Sequence, residues 1–258
     1  MSKKILKIDQ VGSYIVGLSK DKLKKKFVVL LMQGFLAGIF IAFGAIGYLK
    51  VSALAADPGV GAFLAAAIFP VGLICILLFG AELFTSNNMM LMGVYNKKYS
   101  IFPVLRVLLI VWIANLIGSV FMAGLSSLSG IFNDAMVQKV SAMAISKTTM
   151  PAAQQIFSAI ICNIIICTAV WIAYGLKSTG AKITVVWFMV TVFILSGTEH
   201  IVANMYYLFA ALFHGASLTA GGIALSLLFV TIGNFIGGAL IVTGLGKLIA
   251  SRTQNKTS

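Results

Sequence analysis

The chain has 258 residues, 60% of them apolar and only 10% charged, with a mean hydropathy of +1.05. Soluble domains carry about 25% charged residues, so this composition excludes a soluble enzyme or binding module and describes an integral membrane protein. The net charge of +13 follows from basic loops meeting anionic headgroups on one side of a membrane, and no nucleic-acid partner is needed to explain it.

Residues 1–26, MSKKILKIDQVGSYIVGLSKDKLKKK, have charges spread throughout and no apolar core with a small-residue cleavage site. They are not read as a signal peptide. Ile5, Ile8, Val11, Ile15 and Leu18 recur at spacings of three and four, which fits an amphipathic helix at the membrane surface. A basic tail that only sets topology fits the same residues.

Six long apolar stretches follow, at 27–49, 61–95, 101–128, 152–176, 184–213 and 218–250. Each reaches the roughly 20 residues a helix needs to cross a bilayer. They give one channel-sized domain over 27–250, with 27–128 and 152–250 as its halves and 251–258 as a tail. Lys and Arg divide sixteen to three between alternate loops, which predicts six crossings with both termini cytoplasmic. Cys75, Cys162 and Cys167 all lie in apolar stretches without metal or disulfide spacing, so they read as small buried hydrophobes. No metal or cofactor motif accompanies them.

The stretch 61–95 is 35 residues long. As one straight helix it would measure about 52 Å, well beyond a hydrocarbon core of about 30 Å, so a break is expected inside it. The break has a candidate in GAELFTSNNM (80–89), which aligns with GTEHIVANM (197–205) as G-x-E-x-x-x-x-N at an offset of 117 residues. IANLIGS (113–119) aligns with IGNFIGG (232–238) at an offset of 119, so two matches agree on one duplication. Three spans per half is an odd number, which inserts the halves in opposite senses and makes an inverted repeat with its pathway at their interface.

Broken helices leave backbone groups unpaired at membrane depth unless protein or water meets them. Glu82, Glu199, Asn87 and Asn204 are suited to that pairing, and the glutamates are read as loop-stabilising, accepting from exposed N–H groups at the half-helix starts. The copies differ where Leu83 aligns with His200. One half offers an apolar plug and the other a titratable imidazole, the only side chain here that titrates near neutral pH at mid-membrane. His214 ends a span beside Gly215 and reads as a loop residue.

LLFGAELFTS (77–86), GTEHIVANM (197–205) and AIICNIIICTAVW (159–171) resemble the three recurrent motifs of the formate/nitrite transporter family, and the resemblance runs from Lys24 onward. The third motif departs at Ile166 and Thr168. The resemblance implies an all-α, aquaporin-like fold assembled as a homopentamer in a prokaryotic inner membrane, with one pore per protomer. It further implies that His200 is the central pore histidine, that Thr85 faces it from the opposite loop, and that Asn163 and Asn204 line the pore. By the same resemblance Lys147 stands in the extracellular vestibule, and Phe79, Leu83 and Phe193 form apolar constrictions on the two sides of the histidine. Read alone, Lys147 is an ordinary loop lysine, and Phe79 and Phe193 are packing residues.

A bare anion loses its hydration in a dry apolar ring, whereas its protonated form crosses as a small neutral molecule. The pattern therefore points to a channel for small monovalent weak-acid anions, formate, nitrite or hydrosulfide, with proton exchange at His200. Thr198 stands where formate channels of the family usually show an aromatic, which favours the hydrosulfide branch. An aquaporin-type channel for water or glycerol is the alternative, but its selectivity arginine and paired N-P-A loops are missing. A membrane enzyme would need a second titratable partner for His200 besides Glu199.

Overall fold

The computed structural model describes residues 5–254, with side chains to 252, so expectations for 1–4 and 255–258 lie outside the described residues. Among the described residues every regular element is a helix. The amphipathic α1 (Ile8–Lys24) leads into α2 (Phe27–Leu54). Next come α3 (Pro58–Ile68), α4 (Val71–Phe79), α5 (Phe84–Asn87), a 3-10 turn (Asn88–Met90) and α6 (Leu91–Tyr95). After it come α7 (Ile101–Leu128), α8 (Asp134–Thr149), α9 (Ala152–Gly175), α10 (Thr179–Leu195) and α11 (Ile201–Phe213). The chain closes with α12 (Ala220–Phe235), a π-helical stretch (Ile236–Thr243) and α13 (Gly244–Gln254). Five of the described helical segments are long and apolar enough to cross a membrane, with Thr179–Leu195 and Ile201–Phe213 apolar but shorter.

The breaks fall where the backbone turns left-handed. α4 ends at Gly80 with φ +82°, and α10 is followed by Gly197 with φ +63°. A Cβ at either glycine would meet no atom within 4 Å, so the requirement is conformational and not one of space. L-residues pay about 1–2 kcal/mol in that region.

Small residues bring the long helices together. A Cβ on Gly38 of α2 would strike the carbonyl of Asn115, and one on Gly118 of α7 would strike that of Phe35. In the other half the same contact joins α9 to α12 and to the π-helical stretch, where a Cβ on Gly233 or Gly237 would strike the carbonyl of Ile156 or Ile160. Close backbone approach gives such helices dispersion contacts where lipid supplies no hydrophobic force to join them. Trp112 Nε1 then donates to Thr231 Oγ1 at 3.0 Å and links the halves.

α8 goes beyond the sequence expectation, in which 129–151 is a plain connection containing Lys139 and Lys147. Asn133 caps it by accepting from the Met136 N–H at 3.0 Å, and Met136, Val140 and Ala144 bury one stripe. α1 buries Val11, Ile15 and Ser19 in the same way. Each pair is separated by 125 residues, so α1 and α8 bury matching stripes in the segments that precede 27–128 and 152–250.

Candidate functional site

Each half-helix start is held by an asparagine from the IANLIGS or IGNFIGG segment. Asn234 Oδ1 accepts from the Ile201 N–H at 2.9 Å, and its Nδ2 donates to the carbonyls of Ala159 and Glu199 at 2.8 and 3.0 Å. Asn115 does the same in the first half, accepting from Phe84 N–H at 2.9 Å and donating to the carbonyls of Gly34 and Glu82 at 2.8 and 3.0 Å. The expectation that Glu82 and Glu199 serve these N–H groups is therefore corrected. A neutral amide offers both a donor and an acceptor, which a carboxylate does not.

The two glutamates instead anchor lysines of the amphipathic helices. Glu82 accepts from Lys22 of α1 and from Lys25 just beyond it, both at 2.7 Å, and from Asn87 Nδ2 at 2.9 Å. Glu199 accepts from Lys147 of α8 with both oxygens at 2.8 Å, and from Asn204 Nδ2 at 2.6 Å. Lys22 and Lys147 again differ by 125 positions. Lys147 is thus a helical residue in the last turn of α8 and is ion-paired, and not a free loop lysine.

His200 is the N-cap residue of α11, with φ −109° and ψ 121°; Leu83 precedes α5 with φ −107° and ψ 129°. The aligned positions share one backbone and differ in side chain. His200 Nδ1 accepts from the Ala203 N–H at 3.2 Å, so in the neutral ring the proton sits on Nε2, which lies 3.0 Å from Thr85 Oγ1. Both side chains are buried, and the Phe193 ring lies 5.8 Å from the imidazole between centroids.

Space around this contact is unequal. On the α8 side a cleft of about 400 Å³ reaches His200, bordered by Lys139, Lys147, Phe193, Glu199, Asn204 and Tyr207 among others. On the α1 side the cavity between Lys22, Ser86, Asn87 and Tyr174 holds only about 10 Å³. Lys139, which sequence reasoning passed over, has no ion-pair partner among the described residues. Nothing in the sequence marked it, since 129–151 carries only two lysines and one aspartate.

Not every expected residue joins this group. Asn163 is fully buried and donates to the carbonyls of Thr85 and Asn234 at 3.2 and 2.6 Å, so in this conformation it braces the Thr85 loop and lines no open path. Cys167 adds a contact from Sγ to the Thr85 carbonyl at 3.3 Å. Phe79 is 65% exposed and stacks edge-on against Phe40, away from the cleft. Leu83 and Phe193 are both buried. His214 stacks on Phe132 with centroids 4.5 Å apart at the end of α11.

The formate/nitrite transporter family model matches residues 9–246. The chain belongs to this family. It is 33% identical to the formate channel BtFdhC of Bacillus thuringiensis over 239 residues, 90% of this chain and 91% of that protein. It is 35% identical to the nitrite transporter NirC of Escherichia coli (strain K12) over 228 residues, 86% of this chain and 83% of that one. Among solved structures it resembles an FNT family ion channel with a TM-score of 0.84 and 31% identity, covering 94% and 98% of the two chains. A pentameric formate channel with formate bound gives 0.73 and 25%, covering 90% and 98%. As a family member the chain is a multi-pass membrane transport protein, and the His200–Thr85 contact stands at the start of α11.

Proposed function

We propose that this family member is a channel for small monovalent weak-acid anions, formate, nitrite or hydrosulfide, in a prokaryotic inner membrane. Five copies assemble, each with its own pore of six crossings arranged as a 3+3 inverted repeat, and both termini face the cytoplasm. The matched asparagine anchors and lysine–glutamate clusters support the inverted repeat. Likeness to a pentameric formate channel supports the assembly, and the sixteen to three division of basic residues supports the orientation.

The single observation that carries the reading is the His200–Thr85 contact at 3.0 Å, at the inner end of the open cleft. Lys139 and Lys147 draw an anion into the cleft. Lys147 contributes less than a free cation, because Glu199 neutralises it. His200 takes a proton from hydronium at Nδ1 as its bond to Ala203 opens and gives the Nε2 proton to the anion beside Thr85, so the imidazole passes a proton across its own ring. The anion leaves as a neutral acid and crosses Leu83 and Phe193 without the cost of desolvating a charge. Hydrosulfide is the substrate we favour, since Thr198 spends its hydroxyl on the Phe193 carbonyl at 3.3 Å and places no aromatic ring over the histidine.

Purified protein in proteoliposomes, tested with formate, nitrite and hydrosulfide and with water permeability measured alongside, distinguishes this channel from a water pore. Weak-acid flux far above the lipid background is expected, with water permeability near background; the reverse pattern overturns the reading. Leu83→Ala and Phe193→Ala are expected to raise flux several-fold and to relax selectivity, because these side chains form the dry barrier. Loss of assembly with no gain in flux would assign them to packing, where Phe→Ala costs about 3–5 kcal/mol.

A further inference from the structure

Asn204 carries an acceptor that no described residue uses. Its Nδ2 donates to Glu199 Oε2 at 2.6 Å, which fixes the orientation of the amide, since a carboxylate accepts only from the NH₂ end. Oδ1 is thereby turned the other way, is buried, and takes no hydrogen bond from any described residue, while the side chain borders the cleft that reaches His200. A buried amide oxygen left unpaired costs about 1–3 kcal/mol, so the position favours an occupant that brings a donor.

The other half shows what such an occupant does. Asn87 occupies the matching position, with its Nδ2 likewise on the neighbouring glutamate, Glu82, at 2.9 Å. Its Oδ1 is filled, accepting from the Lys22 ammonium at 2.6 Å. Lys147, the counterpart of Lys22, gives its described hydrogen bonds to Glu199 alone. Two equivalent acceptors thus exist, one taken by Lys22 of α1 and one buried at the border of the cleft with no partner among the described residues.

We propose that Asn204 Oδ1 is a specificity-determining acceptor that binds the acidic hydrogen of the protonated substrate, so that the pore selects the neutral weak acid over its anion one helical turn from His200. The inference rests on the weak-acid channel reading above and adds to it. Formate and nitrite carry no acidic hydrogen to donate, hydrosulfide keeps only one weak S–H, and the amide carbonyl dipole repels the negative charge of all three. Formic acid and nitrous acid each present one O–H donor, and hydrogen sulfide presents two weaker S–H donors. On the opposite side Lys22 occupies the corresponding acceptor, so the same helix that closes that mouth also blocks the second reading position.

The test compares nitrite with nitrate, which is of similar size but remains an anion throughout the usable pH range, in proteoliposomes holding the full-length protein. Wild type is expected to pass nitrite and formate well and nitrate poorly. Asn204→Val is expected to lower nitrite and formate flux about tenfold, equivalent to about 1.4 kcal/mol, with nitrate flux unchanged, so that the nitrite to nitrate ratio collapses. The paired exchange Glu199→Gln with Asn204→Asp keeps the charge count and the internal hydrogen bond and returns an acceptor to the cleft. It is expected to restore most of the ratio. Should Asn204→Val lower all three fluxes in proportion, or leave the ratio intact, Asn204 only braces Glu199 and the inference fails. Wild-type protein that moves no weak acid at all would instead sink the channel reading, a result distinct from either of these.

Discussion

Asn234→Leu is expected to yield no folded protein from the membrane, and Asn115→Leu to do the same. Each amide serves three backbone groups at a half-helix start inside the apolar layer. Leucine has nearly the same bulk and satisfies none of them. At about 1–3 kcal/mol for each buried group left unpaired, the loss is comparable with a whole domain's stability of about 5–15 kcal/mol. Asn→Asp keeps the acceptor and loses the donors, so it should fall between. The check is the amount of monodisperse protein after detergent extraction, with its melting temperature. Leucine variants that extract and melt like wild type would show that lipid or water repairs the breaks.

The second large effect concerns α1, which we propose folds over the pore entrance on its side and reduces conduction. Lys22→Met combined with Lys25→Met is expected to raise flux at least tenfold, because it leaves the Glu82 carboxylate, only 2% exposed, without its cations in the closed arrangement. Removing one side of a buried pair costs about 3–5 kcal/mol. Moving α1 aside lets water reach Glu82, so the penalty falls on the closed state alone and the population shifts toward opening. Deletion of residues 1–19 acts differently, since it withdraws Val11 and Ile15 from their packing yet keeps both lysines. It is expected to raise flux less than the double substitution, and neither change should alter which anion is preferred, since His200, Asn204 and Phe193 remain. Stopped-flow flux at matched protein density is the check. A double variant that inserts and assembles normally and conducts at the wild-type rate would reduce α1 to a topogenic segment.

Much of this is legible in the sequence, for a physical reason. The duplicated G-x-E-x-x-x-x-N and the IANLIGS/IGNFIGG pair are polar or small residues in apolar surroundings, where each is costly and so carries information. They locate both breaks and the Leu83/His200 difference. What the pattern does not carry is pairing. Glu82 and Asn115 are both able to meet a free N–H, and only geometry assigns that work to the asparagine and the lysines to the glutamate. α8 escapes because its stripe of Met136, Val140 and Ala144 is short and sits among lysine and serine, well below the hydropathy of a crossing helix. Its kinship with α1 lies in an offset of 125 residues with scarcely any identity in sequence. Phe79 is the opposite case: it lies exposed against Phe40 and away from the cleft, and hydropathy offers no contrast between lipid-facing, core and pore-lining apolar side chains.

The central claim, proton exchange at His200 during passage of a weak acid, is tested most directly by recording proton and anion movement together in pH-clamped proteoliposomes, for wild type and for His200→Asn. Asparagine is itself a favoured N-cap residue, so the start of α11 and the assembly should survive while the titratable ring is lost. The expected result is that wild type moves one proton with each anion and that flux climbs as the pH falls. His200→Asn should lose that coupling or flatten the pH profile while still melting like wild type. An unchanged stoichiometry and an unchanged pH profile for every substrate in the variant would contradict it, and would leave His200 as a cap and a spacer.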